Sequence, residues 1–477
     1  MTIASYAPIL SYAEISVPNS PGDFQHQQGI LLLRQLIAAG LVETNQFMLY
    51  RQEEQQDIRI AAEPFATVTV TADAISLQWT DAQETWQEPL GGDPLKQVER
   101  LLARVVLPDA TAYGYVAFDL ARCYMPSGTL EGISTPLLSF FVPKLELHLS
   151  PETIRIRSLD MYLLERALDV VMSADWHQEV SLATPEQFPV TEQDASWYMQ
   201  GVQTITDAIH HDSGTGGPFQ KAILSRAAIV SEEGDLDLLE TYRLAEQGNA
   251  FIRSYCLNLG EEAAVGCSPE TLLEADTTGL VSTNPLAGTR WRGKTPEEDA
   301  KLTAMLGSSH KQRTEHLLSV LEAQRELEKV CTTGSVAVRG LAHIQKYRTV
   351  QHLASRLSGV LASPYTTWDA LRVLFPGVTV SGIAKPVALE WITRLEPGPR
   401  GLYAGAIGWI SSNGAADLAI TIRTLFQSGK QVRFQAGAGI VTDSDPRDEY
   451  EETWHKMQTM WPYMVRSTGS DGDVHEV

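Results

Sequence analysis

Four cysteines in 477 residues (Cys123, Cys256, Cys267 and Cys331) stand far apart, and no two form a CxxC pair. The chain therefore offers neither a disulfide framework nor a cysteine zinc site, and its thiols fit a reducing, cytoplasmic compartment. Basic residues are scarce: 37 against 59 acidic ones, a formal charge of −22 with no Lys/Arg cluster. Nucleic acid is excluded as a partner, because neutralising phosphates needs concentrated positive charge. An anionic membrane surface is disfavoured on the same ground. No run approaches the ~18 to 20 uncharged apolar residues of a membrane span. The opening MTIASYAPILSYAEIS lacks the basic and apolar regions of a signal peptide. Fixed-period repeats and low-complexity tracts are missing as well. With 43% hydrophobic and 20% charged residues the chain can bury a sizeable core. Any anionic substrate must meet local cations or a metal, since the protein as a whole repels it.

Up to about residue 190 the pattern is strand-rich. Phe65 to Trp79, Ala112 to Tyr124 and Leu137 to Ser150 read as strands. Gly29 to Val42 reads as a helix ending at Gly40. This half carries no catalytic pattern and reads as scaffold and lid. His210, His211, Asp212 and Ser213 run into a Gly-rich GTGG and predict a loop; adjacent histidines rarely converge on one ion, so no metal is assigned there. Beyond it, strand-like segments alternate with three helical ones. Ser467 to Val477 is a polar tail.

Several side chains in this second half could carry chemistry. Asp445-Pro446 opens a helix with Ser444 or Asp445 as cap and proline in the first turn. Glu449, Glu452 and Lys456 then fall at i, i+3 and i+7 on one face, which is either a solvated stripe or part of a site. A second helix, from about Ser308 to Lys329, carries Glu315 just before its apolar run. Two carboxylates from separate helices would suit Mg²⁺, which takes oxygen ligands and keeps waters for a substrate. Glu270 follows Pro269 in a turn leaving an apolar strand; desolvated there, it would have the raised pKa of a general acid, and solvated it would be an ordinary turn carboxylate. Lys221 heads a strand that reads as buried, so its amine is a candidate base if it points inward. Gly437 and Gly439 end a strand where backbone N–H groups could approach an anion closely.

Together, PLAGTR (285–290), SPE (268–270), TEHL (314–317), VQHLAS (350–355), SGIAK (381–385), RGLYAGAIG (400–408) and AGAGIV…SDP…EYEET…K resemble the chorismate-utilising enzymes, in the order that family uses. The resemblance covers residues 191–466 and implies a large α/β fold: two layered, mostly antiparallel β-sheets flanked by helices in a single compact unit. Residues 1–190 would form its β-rich N-terminal half, and 467–477 a tail. Among members, FPGVTVSGIAKPVALEWITRLEPGPRGLYAGA looks most like salicylate synthases, with isochorismate synthases next.

That resemblance implies roles by position. Lys221 matches the base that activates water, and Glu270 the acid that protonates the departing hydroxyl of chorismate. Glu315 and Glu452, with Glu449 beside them, match Mg²⁺ ligands. Tyr403 and Arg423 match the pair holding the pyruvyl carboxylate. Gly288, Thr289, His352, Thr379, Gly437, Gly439 and Lys456 match other substrate contacts. The expected activity is conversion of chorismate through isochorismate to salicylate and pyruvate. The alternatives are an isochorismate synthase, an ammonia-using aminodeoxyisochorismate synthase, and a member without turnover. A lysine at 221 favours water over ammonia, no glutaminase-type nucleophile is present, and Ala287 stands where a covalent lysine would be needed. No glutaminase subunit is expected, and the chain should be a monomer or weak homo-oligomer. Asn284, Gln312 and Ala384 depart from the usual glutamate, glutamate and proline.

Overall fold

The computed structural model describes residues 10–16, 25–125, 128–174, 184–230, 235–249, 251–346 and 350–467. Its strands pair antiparallel throughout and belong to one hydrogen-bonded network. That network divides into two layers. The first runs through Lys221–Val230, Gln431–Ile440, Thr424–Ser428, Glu262–Ser268, Arg253–Asn258 and Phe47–Gln52 to the start of Asp57–Val70. The second runs from the end of Asp57–Val70 and from Leu138–Leu149 through Thr111–Val116, Ala406–Ser411, Ala416–Ile420, Thr271–Ala275 and Leu280–Thr283 to Val350–Val360. Asp57–Val70 and Leu138–Leu149 belong to both. Their register slips between Pro64 and Ala66, beside Glu63 with φ +57°, and this bulge turns the paired strands from one layer into the other.

Alternation along the strands builds two cores. In Phe47–Gln52, Met48 and Tyr50 join Tyr255, Leu257 and Ala264 against Leu273, Ile407 and Leu418 of the second layer. Phe47 and Leu49 point the other way. There they meet the helices Gln25–Ala38, Met161–Ser173 and Leu238–Gly248 through Leu33, Leu36, Leu164 and Tyr242. The architecture is the layered, mostly antiparallel α/β unit expected from the sequence.

Local details differ from those expectations. The helix at Gln25–Ala38 does stop at Gly40, whose φ of +69° lets Leu41 N–H close on Leu36 C=O at 3.0 Å. Phe65 to Trp79 is instead two strands, Asp57–Val70 and Ala74–Trp79, joined by a turn in which Thr71 Oγ1 binds Ala74. Ala112 to Tyr124 is a strand only as far as Val116, then a 3₁₀ turn Phe118–Tyr124. His210 to Ser213 are not a loop: they form the last turns of the helix Ala195–Thr215, which ends at Gly216 with φ +77°. Asp212 there accepts the N–H of Phe219 at 2.6 Å and ties the helix to the strand of Lys221. Six helices, not three, follow among the described residues. Leu238–Gly248 shows why: Glu240, Arg243 and Glu246 are buried among its apolar residues, so no polar stripe marks it. Residues 468–477 of the polar tail lie outside the described residues.

Candidate active site

The two layers exchange strands at the site. Glu262–Ser268 pairs in the first layer and Thr271–Ala275 in the second, so the chain crosses at Pro269-Glu270. Ala416–Ile420 and Thr424–Ser428 repeat the crossing at Thr421 to Arg423, with Arg423 at φ +50°. Leaving the ladder at these points frees the Glu270 and Arg423 side chains to line one cavity of about 510 Å³. Lys221, at the head of its strand, enters the same cavity, as do Glu315, Glu449, Glu452 and Lys456 from two helices. Gly288, His352, Thr379, Tyr403, Gly437 and Gly439 complete the predicted set. Thr289 lies opposite His352 in the register of its strand, and its side chain is outside those described. A larger groove of about 960 Å³, along Val105 to Ala110, Asp276 to Gly279 and Ser363 to Trp368, contains none of these residues.

Lys221 is 1% exposed, and its Nζ lies 2.9 Å from Glu315 Oε1 and 3.4 Å from Ser319 Oγ. Ser319 follows Glu315 by one helical turn and shares its face. Glu270 is 4% exposed. Burial pushes its carboxyl up to about 7, although Thr379 Oγ1 and Leu286 N–H donate to it at 2.7 and 3.2 Å and pull the other way. His352 is 2% exposed, and burial, reinforced by Arg423, holds it well below its ordinary value. Gly288 C=O, 3.3 Å away, can only accept, so His352 Nδ1 donates to it and the neutral Nε2 accepts from Arg423 at 3.1 Å. The imidazole thus orients the guanidinium. Burial, against the opposing pull of Arg400, pushes the Tyr403 phenol up to about 12. Lys456 Nζ bridges Glu452 at 2.7 Å and Gly437 C=O at 2.9 Å. Desolvation works against that ammonium, but the neighbouring Glu452 carboxylate holds its pKa above the ordinary lysine range.

Two glycines keep the wall thin. A Cβ on Gly439 would sit 2.5 Å from Glu315 Oε1, and one on Gly437 would sit 2.8 Å from Ile223 Cγ2 and 3.0 Å from the Tyr403 hydroxyl. Behind them Arg400, 1% exposed, clamps the wall: it donates to both Glu396 oxygens at 2.6 and 2.9 Å, to Val380 C=O at 2.8 Å and to Ile223 C=O at 2.7 Å. Its partner Glu396 accepts Ser225 N–H at 2.7 Å.

The one-face expectation for Glu449, Glu452 and Lys456 holds in the cavity lining, yet their environments diverge: Glu449 is buried, whereas Glu452 keeps half its side chain in solvent. Asp445, not Ser444, caps that helix, accepting from the N–H groups of Arg447 and Asp448. Among the described residues no three His, Cys, Asp or Glu side chains converge into a closed metal cage. Glu315, Glu449 and Glu452 lie apart on the cavity wall, and carboxylate oxygens are the donor type a hard cation takes while keeping waters of its own. Sequence reasoning passed over Arg290, Ser319, Gln435, Glu451 and His455 around this cavity. For Ser319 the spacing from Glu315 was signal enough; Arg290 immediately follows two residues already singled out.

The chain belongs to the family of chorismate binding enzymes, which matches residues 45–462. It is 40% identical over 249 residues to a salicylate synthase of Mycolicibacterium paratuberculosis, a match covering 52% of this chain and 55% of that one. The chain thus spans about half the length of that relative. To anthranilate synthase component 1 of Saccharolobus solfataricus it is 43% identical over 349 residues, covering 73% of this chain and 79% of the other. Among solved structures, anthranilate synthase component I from Streptococcus pneumoniae superposes with a TM-score of 0.71 at 27% identity, over 88% of this chain and 93% of that one. MenF, the menaquinone-specific isochorismate synthase from Escherichia coli, shares the fold with a TM-score of 0.70 at 20% identity, over 95% of each chain. No helix among the described residues is long and apolar enough to cross a membrane.

Proposed function

We propose that this protein is a Mg²⁺-dependent salicylate synthase, converting chorismate through isochorismate to salicylate and pyruvate. One observation carries the reading: a buried amine, Lys221, and a carboxyl pushed up to about 7, Glu270, line the same cavity. Substituting water for a ring hydroxyl needs a base for the entering water and an acid for the departing oxygen, which is this pair of groups. Lys221 takes the proton of the attacking water; Glu270 delivers its own to the leaving hydroxyl, which departs as water. Thr379 and Leu286 N–H keep the Glu270 carboxyl in place. Tyr403 and the His352-oriented Arg423 grip the pyruvyl carboxylate, for which a planar guanidinium gives two parallel hydrogen bonds. Glu315, Glu449 and Glu452 are the residues that would hold Mg²⁺, which when bound would supply positive charge for the ring carboxylate of a dianionic substrate. The site then retains isochorismate while its C2 hydrogen passes to the enolpyruvyl methylene and the ring C–O bond breaks, leaving salicylate and pyruvate, a step that depends on positioning. A lysine rather than a smaller group at 221 and alanine at 287 support water as nucleophile and a chain that works without a glutaminase subunit.

Incubating the pure protein with chorismate and Mg²⁺, with and without ammonium, tests this. Salicylate fluorescence together with pyruvate is expected. Isochorismate without pyruvate would make it an isochorismate synthase, ammonium-dependent product an amine-transferring enzyme, and no product a binder alone. Lys221→Ala is expected to remove turnover and keep the fold; wild-type rates in that variant would take the amine out of the mechanism.

A further inference from the structure

We infer that Arg290 is an additional substrate-binding residue, a guanidinium kept uncommitted so that it can take the ligand carboxylate at the Glu315 end of the cavity. The inference rests on the proposed function, because that function makes the ligand a dicarboxylate. Arg290 lies in the strand Leu286–Trp291, two residues after Gly288, and its side chain lines the cavity. Its Nε is buried and donates to nothing. A buried donor left unmet forfeits its hydration with no return, so a chain that keeps one facing a cavity has an acceptor for it there.

A second polar side chain of the same cavity is also unclaimed. Gln312 also lines the cavity, and its side chain packs on the Gly288 backbone, where a Cβ would lie 3.2 Å from Gln312 Cβ. Gln312 brings no charge to that end of the cavity, and its own Oε1 is likewise buried without a partner. Gln312 precedes Glu315 by one turn of the helix His310–Glu328, which places Arg290 at that end of the cavity. Arg423, oriented by His352, serves the other carboxylate. Arg423 thus meets one charge of the dianion, and Arg290 would add its guanidinium to the cation proposed at the other.

Calorimetric binding of chorismate to the wild type and to Arg290→Gln, Arg290→Lys and Gln312→Glu tests the assignment. Arg290→Gln is expected to weaken binding about ten- to a hundredfold, the loss of one charge-assisted hydrogen-bonding group. Arg290→Lys should recover part of it. Gln312→Glu should weaken binding while raising the melting temperature, because the new carboxylate pairs with Arg290. A merely structural arginine would instead lower the melting temperature on replacement and leave affinity unchanged. Unchanged affinity in Arg290→Gln, with a wild type that binds chorismate, overturns this inference alone. A wild type that binds no chorismate overturns the proposed function together with it.

Discussion

Glu270 shows how burial shifts the acidity of an ordinary side chain. Its carboxyl moves from an ordinary 4.5 up to about 7, driven by desolvation. If the protonated form is the acid, kcat/KM falls as pH rises through about 7, and Glu270→Gln, which has no acidic proton, is inactive at every pH. Stability carries the opposite information. The folded state holds this proton more tightly than the unfolded chain, so between pH 4.5 and 7 wild-type stability declines with rising pH. Ionising a carboxyl raised from 4.5 to about 7 costs the folded state on the order of 3 kcal/mol. The amide variant escapes that penalty and can still accept from Thr379 and Leu286. Denaturant unfolding should therefore show Glu270→Gln more stable than wild type at about pH 8 by a few kcal/mol, with the difference vanishing near about pH 4. Equal stabilities at both pH values would mean that the carboxyl is not desolvated in solution.

The paired strands Lys221–Val230 and Gln431–Ile440 place the Lys221 amine in the cavity, and their glycines set how closely the helices approach. Register puts Gly439 opposite Ile223 and Gly437 opposite Ser225. A methyl at Gly439 meets the movable end of Glu315, whereas one at Gly437 meets Ile223, the Leu224 carbonyl and Tyr403. Gly437→Ala is thus expected to cost about 1 to 3 kcal/mol as overpacking against backbone, and Gly439→Ala to unfold close to wild type. Both should lose most activity, the second by displacing the carboxylate that Lys221 contacts. Thermal melting and turnover, measured together, separate the two. Spacing and pattern alone left Lys221 and Glu270 open between a buried and a solvated side chain and made the GxG a weak signal; it was the ordered set of motifs resembling the chorismate-utilising enzymes that singled these residues out. Spacing failed where tertiary pairing hides it. Leu238–Gly248 buries three charged side chains, and Arg243 closes on Glu240 Oε1 at 2.5 Å; the histidines at 210 and 211 sit in a helix whose Gly216 cap was read as part of a loop. That Arg290 is left unpartnered while Arg292 is engaged with Asp299 at 2.6 Å is likewise a property of assembled neighbours.

One tie between the two layers is a buried polar knot outside the cavity. Arg253 of the first layer grips Asp417 of the second at 2.8 and 2.7 Å, while Tyr50 and Gln52 donate to the same carboxylate. Asp417 is fully buried and Arg253 is 3% exposed, so neither charge has solvent to fall back on. Breaking such a pair by removing one partner typically costs about 3 to 5 kcal/mol, most of it the stranded charge, whereas replacing both with apolar groups recovers much of the loss. Asp417→Ala should therefore melt far below the wild type. Arg253→Met combined with Asp417→Leu should melt well above that single variant, since no buried ion is left alone. Because none of the four residues of the knot lines the cavity, the double variant should retain its affinity for chorismate at temperatures where it is folded. A double variant as unstable as Asp417→Ala would show that the hydrogen-bonding partners, rather than the charge balance, join the layers. One that folds but no longer binds would show that the knot fixes the crossings at Glu270 and Arg423.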